Sequence, residues 1–284
     1  MWKQASIGLM GLALCGAAYA DDAAPESDAG TDSTWASRAQ AGYAKTGGNT
    51  DTSSGNGLFH VAHVMGEWKF LFGAEGLYGS TQGETTAQAW DLHFQDNYNI
   101  TDKLYWYSGL RYDDNKFSGF AYQALISTGF GYQFIKNDAT QLSGQIGVGA
   151  RRLRPEFLTE DALGAITSTS FVDPACTALP LPPSGGCPVV QASTNAVLDT
   201  AVNLTHSFNS FTKVIANVAV ESGSDNTMTN AGIAVQVKMS DRLALAAGYA
   251  LVRNSKPPMG VGSSSSLTTL SLVYELKNKN LAPE

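Results

Sequence analysis

The chain is poor in three things. Beyond its N-terminus it has no run of about eighteen apolar residues, so no membrane-spanning helix is predicted. Charge is sparse: 15% of the 284 residues are charged, the net charge is −7 and the pI is about 5.1. No basic stripe is present, which argues against a nucleic-acid partner. An acidic chain is also a weak electrostatic binder of anionic membrane surfaces. Residues of catalysis and metal binding are few, with three cysteines and four histidines. There is no Gly-x-Ser-x-Gly nucleophile motif. His60 and His63 are three apart, so a strand sends them to opposite faces and they share no metal. Asp113-Asp114-Asn115 lacks the spaced oxygen ligands of a calcium loop. No catalytic residue, metal ligand or cofactor is therefore expected.

What is abundant is alternation. From Trp68 to Tyr78 every second residue is apolar or small: Trp68, Phe70, Phe72, Ala74, Gly76, Tyr78. The pattern recurs as Trp90, Leu92, Phe94, Asp96, Tyr98 and Ile100, as Leu104 to Tyr112, and as Phe120, Tyr122, Ala124, Ile126, Thr128, Phe130, Tyr132 and Phe134. A period of two marks strands with unlike faces. Runs of about ten residues or more exceed the usual five or six of soluble strands and match tilted strands crossing a bilayer. A mean hydropathy of −0.10 does not oppose this, because a barrel hides its apolar surface in alternation.

The flanks differ. Residues 1–20 read as a cleaved secretory signal: Lys3, an apolar core from Ile7 to Leu14, and Ala18-Tyr19-Ala20 before Asp21. Cys15 invites a lipoprotein alternative, but Leu14 stands where a small residue is wanted. Residues 21–33 form a flexible acidic leader, and residues 277–284 a polar tail. Between them, 34–276 carry about twelve alternating segments, an even number as single-chain outer-membrane barrels require. With the N-terminus in the periplasm, the outer connections are 46–55, 79–87, 113–119, 152–195, 222–228 and 254–265. The inner ones are 66–67, 99–102, 135–140, 206–210 and 240–241, so long and short alternate. The expected fold is an all-β, transmembrane, up-and-down antiparallel barrel of outer-membrane type. The 152–195 segment is proline-rich, lacks a period and reads as a long extracellular loop. It holds Cys176 and Cys187, with ten residues between them. These should bridge in an oxidising compartment. Two buried thiols or a metal pair are the alternatives, and no histidine lies nearby to support the latter.

Parity assigns the faces. Trp35 and Tyr43, Trp68 and Tyr78, and Trp90 and Tyr98 lie on outer faces, eight to ten residues apart. At a tilted-strand rise this is roughly 20–25 Å, the height between the two aromatic girdles of a barrel. A soluble β-sandwich would explain alternation, but neither this spacing nor the strand lengths. Inward parity falls to Arg38, Lys69, Glu75, Asp91, His93, Arg111, Arg151, Asp199, Lys213, Glu221, Lys238 and Glu275. A single-sign ring would suit an ion-selective pore. A mixed set makes pairs that fill a narrow lumen.

GYAKTGGNTDTSSGN (42–56), GLYGSTQGETTAQ (76–88), NITDKLYWYSGLRYDDNKFSGFAYQ (99–123), TGFGYQFI (128–135) and TQLSGQIGVGARR (140–152) resemble the salt-induced outer membrane protein family, a bacterial domain family of unknown function. ESGSDNT (221–227) and SDRLALAAGYALVRNSKPP (240–258) fit its C-terminal half, and the 152–195 loop departs from it. The resemblance implies an outer-membrane location in a Gram-negative-type envelope and supplies no catalytic residues. Partners are then outer-membrane lipids and, transiently, the insertion machinery of that membrane. The function expected is a non-catalytic envelope or osmotic-stress role. The alternatives are a narrow passive channel occluded by the 152–195 loop, and a lipid-modifying enzyme, for which His63 and Ser108 both project outward.

Overall fold

The computed structural model describes residues 34–46, 51–160, 166–172, 176, 187, 189–258 and 261–277. The predicted signal segment, the predicted acidic leader and the tail after Lys277 lie outside the described residues. Twelve long strands form the wall: β1 (Thr34–Thr46), β2 (Thr52–Met65), β3 (Trp68–Thr81), β4 (Glu84–Asn99), β5 (Leu104–Asn115), β6 (Phe120–Lys136), β7 (Thr140–Pro155), β10 (Ser193–Ser207), β11 (Thr212–Gly223), β12 (Thr227–Lys238), β13 (Leu243–Asn254) and β14 (Ser264–Lys277). Two short strands, β8 (Phe157–Glu160) and β9 (Ile166–Ser170), make a separate antiparallel pair. Each wall strand pairs antiparallel with its neighbour in chain order, β7 pairs with β10, and β14 returns to β1. The result is a closed, up-and-down, twelve-stranded barrel of outer-membrane type. Closure leaves no strand edge, the condition for placing strand backbone in hydrocarbon.

The faces are inverted relative to a soluble domain. Large apolar side chains point out and stay exposed, such as Ile126 at 57%, Val148 at 63% and Leu270 at 64%. The buried side chains include Gln95, Asn97, Asn203, Arg151, Glu221 and Asn230. Apolar clusters on the inside are small: Leu77 with Ala87, and Ala244 and Ala246 with Val273. Removing apolar area from water cannot hold such a shape together in aqueous solution; a hydrocarbon surrounding can.

Both ends of the barrel's chain, Thr34 and Lys277, lie at one end of the wall, called here the terminal end. The opposite loop end carries 156–192. Several segments predicted as loops are strand. β2 begins at Thr52, inside the predicted 46–55 loop, and the predicted 79–87 loop contracts to Gln82-Gly83. Both of those residues have positive φ, 52° and 87°, as a two-residue type I′ hairpin requires. The 113–119 and 222–228 connections contract to 116–119 and 224–226. The predicted contrast of long outer and short inner connections therefore survives only at 47–51, 156–192 and 255–263. Composition misled because strand ends above the bilayer need cross-strand hydrogen bonds but no apolar side chains, and Ser, Thr and Gly fill them.

Bulges correct the parity locally. The β5–β6 register shifts between Asp113 and Asn115, and the β6–β7 register shifts between Phe120 and Tyr122. Phe120, expected outside with Tyr122, is turned inward and buried. An extra residue in one strand reverses every side chain beyond it. Among the described residues of the long loop, β8 and β9 pair, Val172 bridges Val189, and Cys176 is bonded to Cys187 with Cα atoms 5.8 Å apart. The seam that closes the ring is short. β1 pairs with β14 only from Ala36 opposite Lys277 to Ala41 opposite Leu272, whereas it pairs with β2 from Thr34 to Thr46.

Candidate functional site

The lumen is the candidate site, and its order follows from strand register. Glu75, Asp91 and Asp113 stand directly opposite one another on β3, β4 and β5. Three carboxylates in a cross-strand row repel. Two residues away along the strands runs a second row: His60 on β2, Gly73 on β3, His93 on β4 and Arg111 on β5. The rows pair member by member. His60 Nε2 lies 3.3 Å from Glu75, His93 Nδ1 3.1 Å from Asp91, and Arg111 Nε 3.9 Å from Asp113. Gly73 supplies the room. A Cβ built there would overlap His93 Nε2, so the imidazole occupies the space that a larger residue at 73 would fill. The rings of His60 and His93 meet edge to face, centroids 5.2 Å apart.

A second cluster crosses the lumen. Asp199 and Glu221 are opposite each other on β10 and β11, again like charges in register. Arg111 Nη1 reaches Glu221 Oε1 at 2.5 Å, and Arg151 Nη1 reaches Glu221 Oε2 at 3.4 Å. Arg111 Nη2 lies 3.8 Å from Met228 Sδ on β12. Arg151 also donates to the carbonyl of Asn226. Tyr107 donates to Asp199 Oδ2 at 3.1 Å, its hydroxyl lying over Gly147. Apart from the bond to Asn226, which lies in the β11–β12 connection, each of these side-chain contacts joins strands that are not neighbours in the wall. The space left among His93, Arg111, Gln145, Asp199 and Glu221 is a cavity of about 30 Å³, room for roughly two waters.

Toward the terminal end the lumen opens into a vestibule of about 640 Å³ between β11 and β14. Lys213 Nζ and Gln236 Nε2 donate to Glu275 Oε1 at 3.3 and 2.7 Å. Lys238, expected inside, sits exposed at this rim and pairs with Asp241 at 3.3 Å. Arg38 donates to Gln40 at 3.3 Å, and Lys69 is half-buried between Val64 and Asn97 on the flanking strands.

Tyr43, Tyr78, Trp90, Trp35 and Tyr98 are exposed on the outer wall. Trp68 is half-buried against Phe70 and Tyr98. Of the outward pair considered for lipid chemistry, His63 stacks on Trp35 with centroids 4.0 Å apart. Ser108 donates to Asp96 Oδ1 at 2.5 Å, and β3 and β4 separate it from His63, so the two do not form a dyad. Among the described residues no group of three or more His, Cys, Asp and Glu is arranged to hold a metal ion. Sequence reasoning missed Asp113, placed in a loop but half-buried in the acidic row, and the hydroxyl of Tyr107. Inward parity marked both, had β5 been carried through to Asn115.

A closed wall with an apolar exterior and a lumen crossed by arginine–carboxylate pairs defines a barrel of outer-membrane type. More specifically, the chain belongs to DUF481, a family of proteins of unknown function, which it matches over residues 39–276. The uncharacterized protein YdiY of Escherichia coli strain K12 is 22% identical over 242 residues, covering 83% of this chain and 81% of YdiY. Looser likenesses connect the chain to solved barrels. The translocator domain of the autotransporter NalP from Neisseria meningitidis is 13% identical with a TM-score of 0.41, over 85% of this chain and 87% of that one. The NanC porin is 10% identical with a TM-score of 0.43, over 85% and 99%.

Proposed function

We propose that the protein is a non-catalytic outer-membrane barrel whose lumen is closed at rest, and that it serves the envelope under osmotic stress rather than carrying solute. One observation carries the closed lumen: Arg111 and Glu221, from strands with β6, β7 and β10 between them, meet at 2.5 Å inside the barrel. A buried charge pair that also holds Arg151 is costly to break, because each partner alone is left uncompensated. The wall's apolar exterior supports the membrane, and the orientation follows the usual rule of short periplasmic turns. That rule puts the terminal end in the periplasm and the disulfide-bearing loop outside, in an oxidising setting. The osmotic role follows from the family resemblance.

Purified protein in a planar bilayer tests the closed state. The expected trace is silent, with and without residues 156–192. Stable single-channel steps from the unaltered protein would overturn this assignment in favour of a narrow channel. Loss of the protein should raise periplasmic leakage on osmotic upshift; unchanged leakage would remove the envelope role.

A further inference from the structure

On the outer wall, near the loop end, a groove of about 530 Å³ runs from Phe72 on β3 to Thr194 on β10. That volume falls within the range of about 300–1,000 Å³ typical of small-molecule sites. Its shape comes from two cross-strand rows. The upper row is Leu92, Tyr112, Ala124, Arg152 and Thr194, each opposite the next. The lower row is Phe94, Leu110, Ile126, Ala150 and Ala196. Ala124, Ala150 and Ala196 are the small members, and the larger side chains beside the first two stand up as walls. The trough is apolar along its length and charged at one point.

That point is Arg152. It is exposed, faces outward and donates from Nε to the Tyr122 hydroxyl at 3.1 Å. Tyr122 stacks on Tyr112, and Tyr112 on Trp90, with centroids 6.0 and 5.3 Å apart. These three rings form the loop-end girdle, so Arg152 stands at the height of lipid headgroups while the lower row faces hydrocarbon. Among the described residues Arg152 pairs with no carboxylate. Asp114, at this end of the wall, is held by Lys116 at 3.2 Å. Arg154, the next outward residue of β7, lies 3.8 Å over the Phe171 ring of the loop.

We infer that this groove binds one lipid of the loop-end leaflet, an acyl chain seated over Ala124 and Ala150 and a phosphate headgroup on Arg152. The charge and the girdle together choose the occupant. A guanidinium whose Nε is already fixed presents its two terminal nitrogens as a fork, the geometry that matches phosphate oxygens. An apolar trough leading directly from that fork into the bilayer suits the chain of the same molecule. The site is separate from the lumen and does not depend on whether the lumen conducts.

Native mass spectrometry of the barrel, released from a phosphate-free detergent, tests the assignment with acyl-matched probes. Phosphatidic acid should be retained one to one, and diacylglycerol, which lacks the phosphate, should not. Glycerol phosphate alone, which lacks the chains, should not be retained either. R152Q should weaken phosphatidic acid retention by about tenfold, the loss of one charge-assisted contact. A150L, which fills the trough, should weaken it while leaving Arg152 in place. R253Q removes an exposed arginine from β13 and should change nothing. Heat-modifiable gel mobility confirms that each variant is folded. Equal effects of R152Q and R253Q, or equal retention of diacylglycerol, would overturn the proposal. So would a dimer that persists without lipid and is lost in A150L, because the groove would then be covered by a second copy.

Discussion

Arg111 on β5 and Glu221 on β11 meet at 2.5 Å although three wall strands separate them. The contact spans the lumen rather than lining it. Arg111→Ala should therefore do two things at once. It should lower the stability of the folded barrel in urea by roughly 3–5 kcal/mol, the usual result of stripping one partner from a buried pair. It should also introduce conductance steps into an otherwise silent bilayer trace. A destabilised but silent variant would mean that other side chains block the path.

Gly73→Ala should force the His93 imidazole out of the space it occupies, since a Cβ at 73 overlaps Nε2. Overpacking of this kind costs about 1–3 kcal/mol. In the double variant with His93→Ala the penalty at 73 should shrink to what His60 imposes, whose Cδ2 would lie 2.7 Å from the same Cβ. A double-mutant cycle by equilibrium unfolding gives the coupling directly, and additive losses would contradict the proposed overlap.

Val148 is 63% exposed near the middle of β7, eight residues from Thr140 and seven from Pro155. Val148→Arg should cost about 2–4 kcal/mol in a lipid bilayer, as charge does at the midplane of a barrel wall. Ala139→Arg, at an exposed position of the connection 137–139, should cost almost nothing. Equal costs at both places would show that the apolar band does not face hydrocarbon.

A nitroxide attached at position 122 should be relaxed by lipid-soluble oxygen, and one at position 120 should not. Only the bulge between Phe120 and Tyr122 predicts a difference between these two positions. Equal accessibility would restore simple alternation through β6.

Alkylation checks the loop. Cys176 and Cys187 should take up no iodoacetamide in the oxidised protein and two equivalents after reduction. Reduction should speed proteolysis between 156 and 192 and leave the unfolding midpoint of the wall unchanged, because the bond closes a segment outside the barrel.

The wall was legible in the sequence because a bilayer imposes alternation on every spanning strand, and Trp68 to Tyr78 or Leu142 to Ala150 have no other reason to alternate. Two things were not legible. Strand ends such as Thr52–Asn56 and Gly79–Thr81 carry no apolar signal, since above the bilayer only backbone pairing holds them. Contacts across the lumen were also hidden. Parity places Arg111, Arg151, Glu221 and Asp199 inside. Which of them touch depends on the register accumulated over several strands, and a single bulge such as the one at Phe120 shifts it. His60 and Glu75 are adjacent only because β2 and β3 pair across the two-residue turn at Gly66, whose φ is 59°.

The short seam from Ala36 to Ala41 sets the order of events in time. Every other pairing in the wall joins strands that follow one another along the chain or, for β7 and β10, flank one loop. The seam alone joins the first strand to the last, so it carries the largest loop-closure cost and the fewest bonds to offset it. It must be the last joint made during assembly. An unfinished barrel would expose two open strand edges there, and a finished one would begin to come apart at the same line.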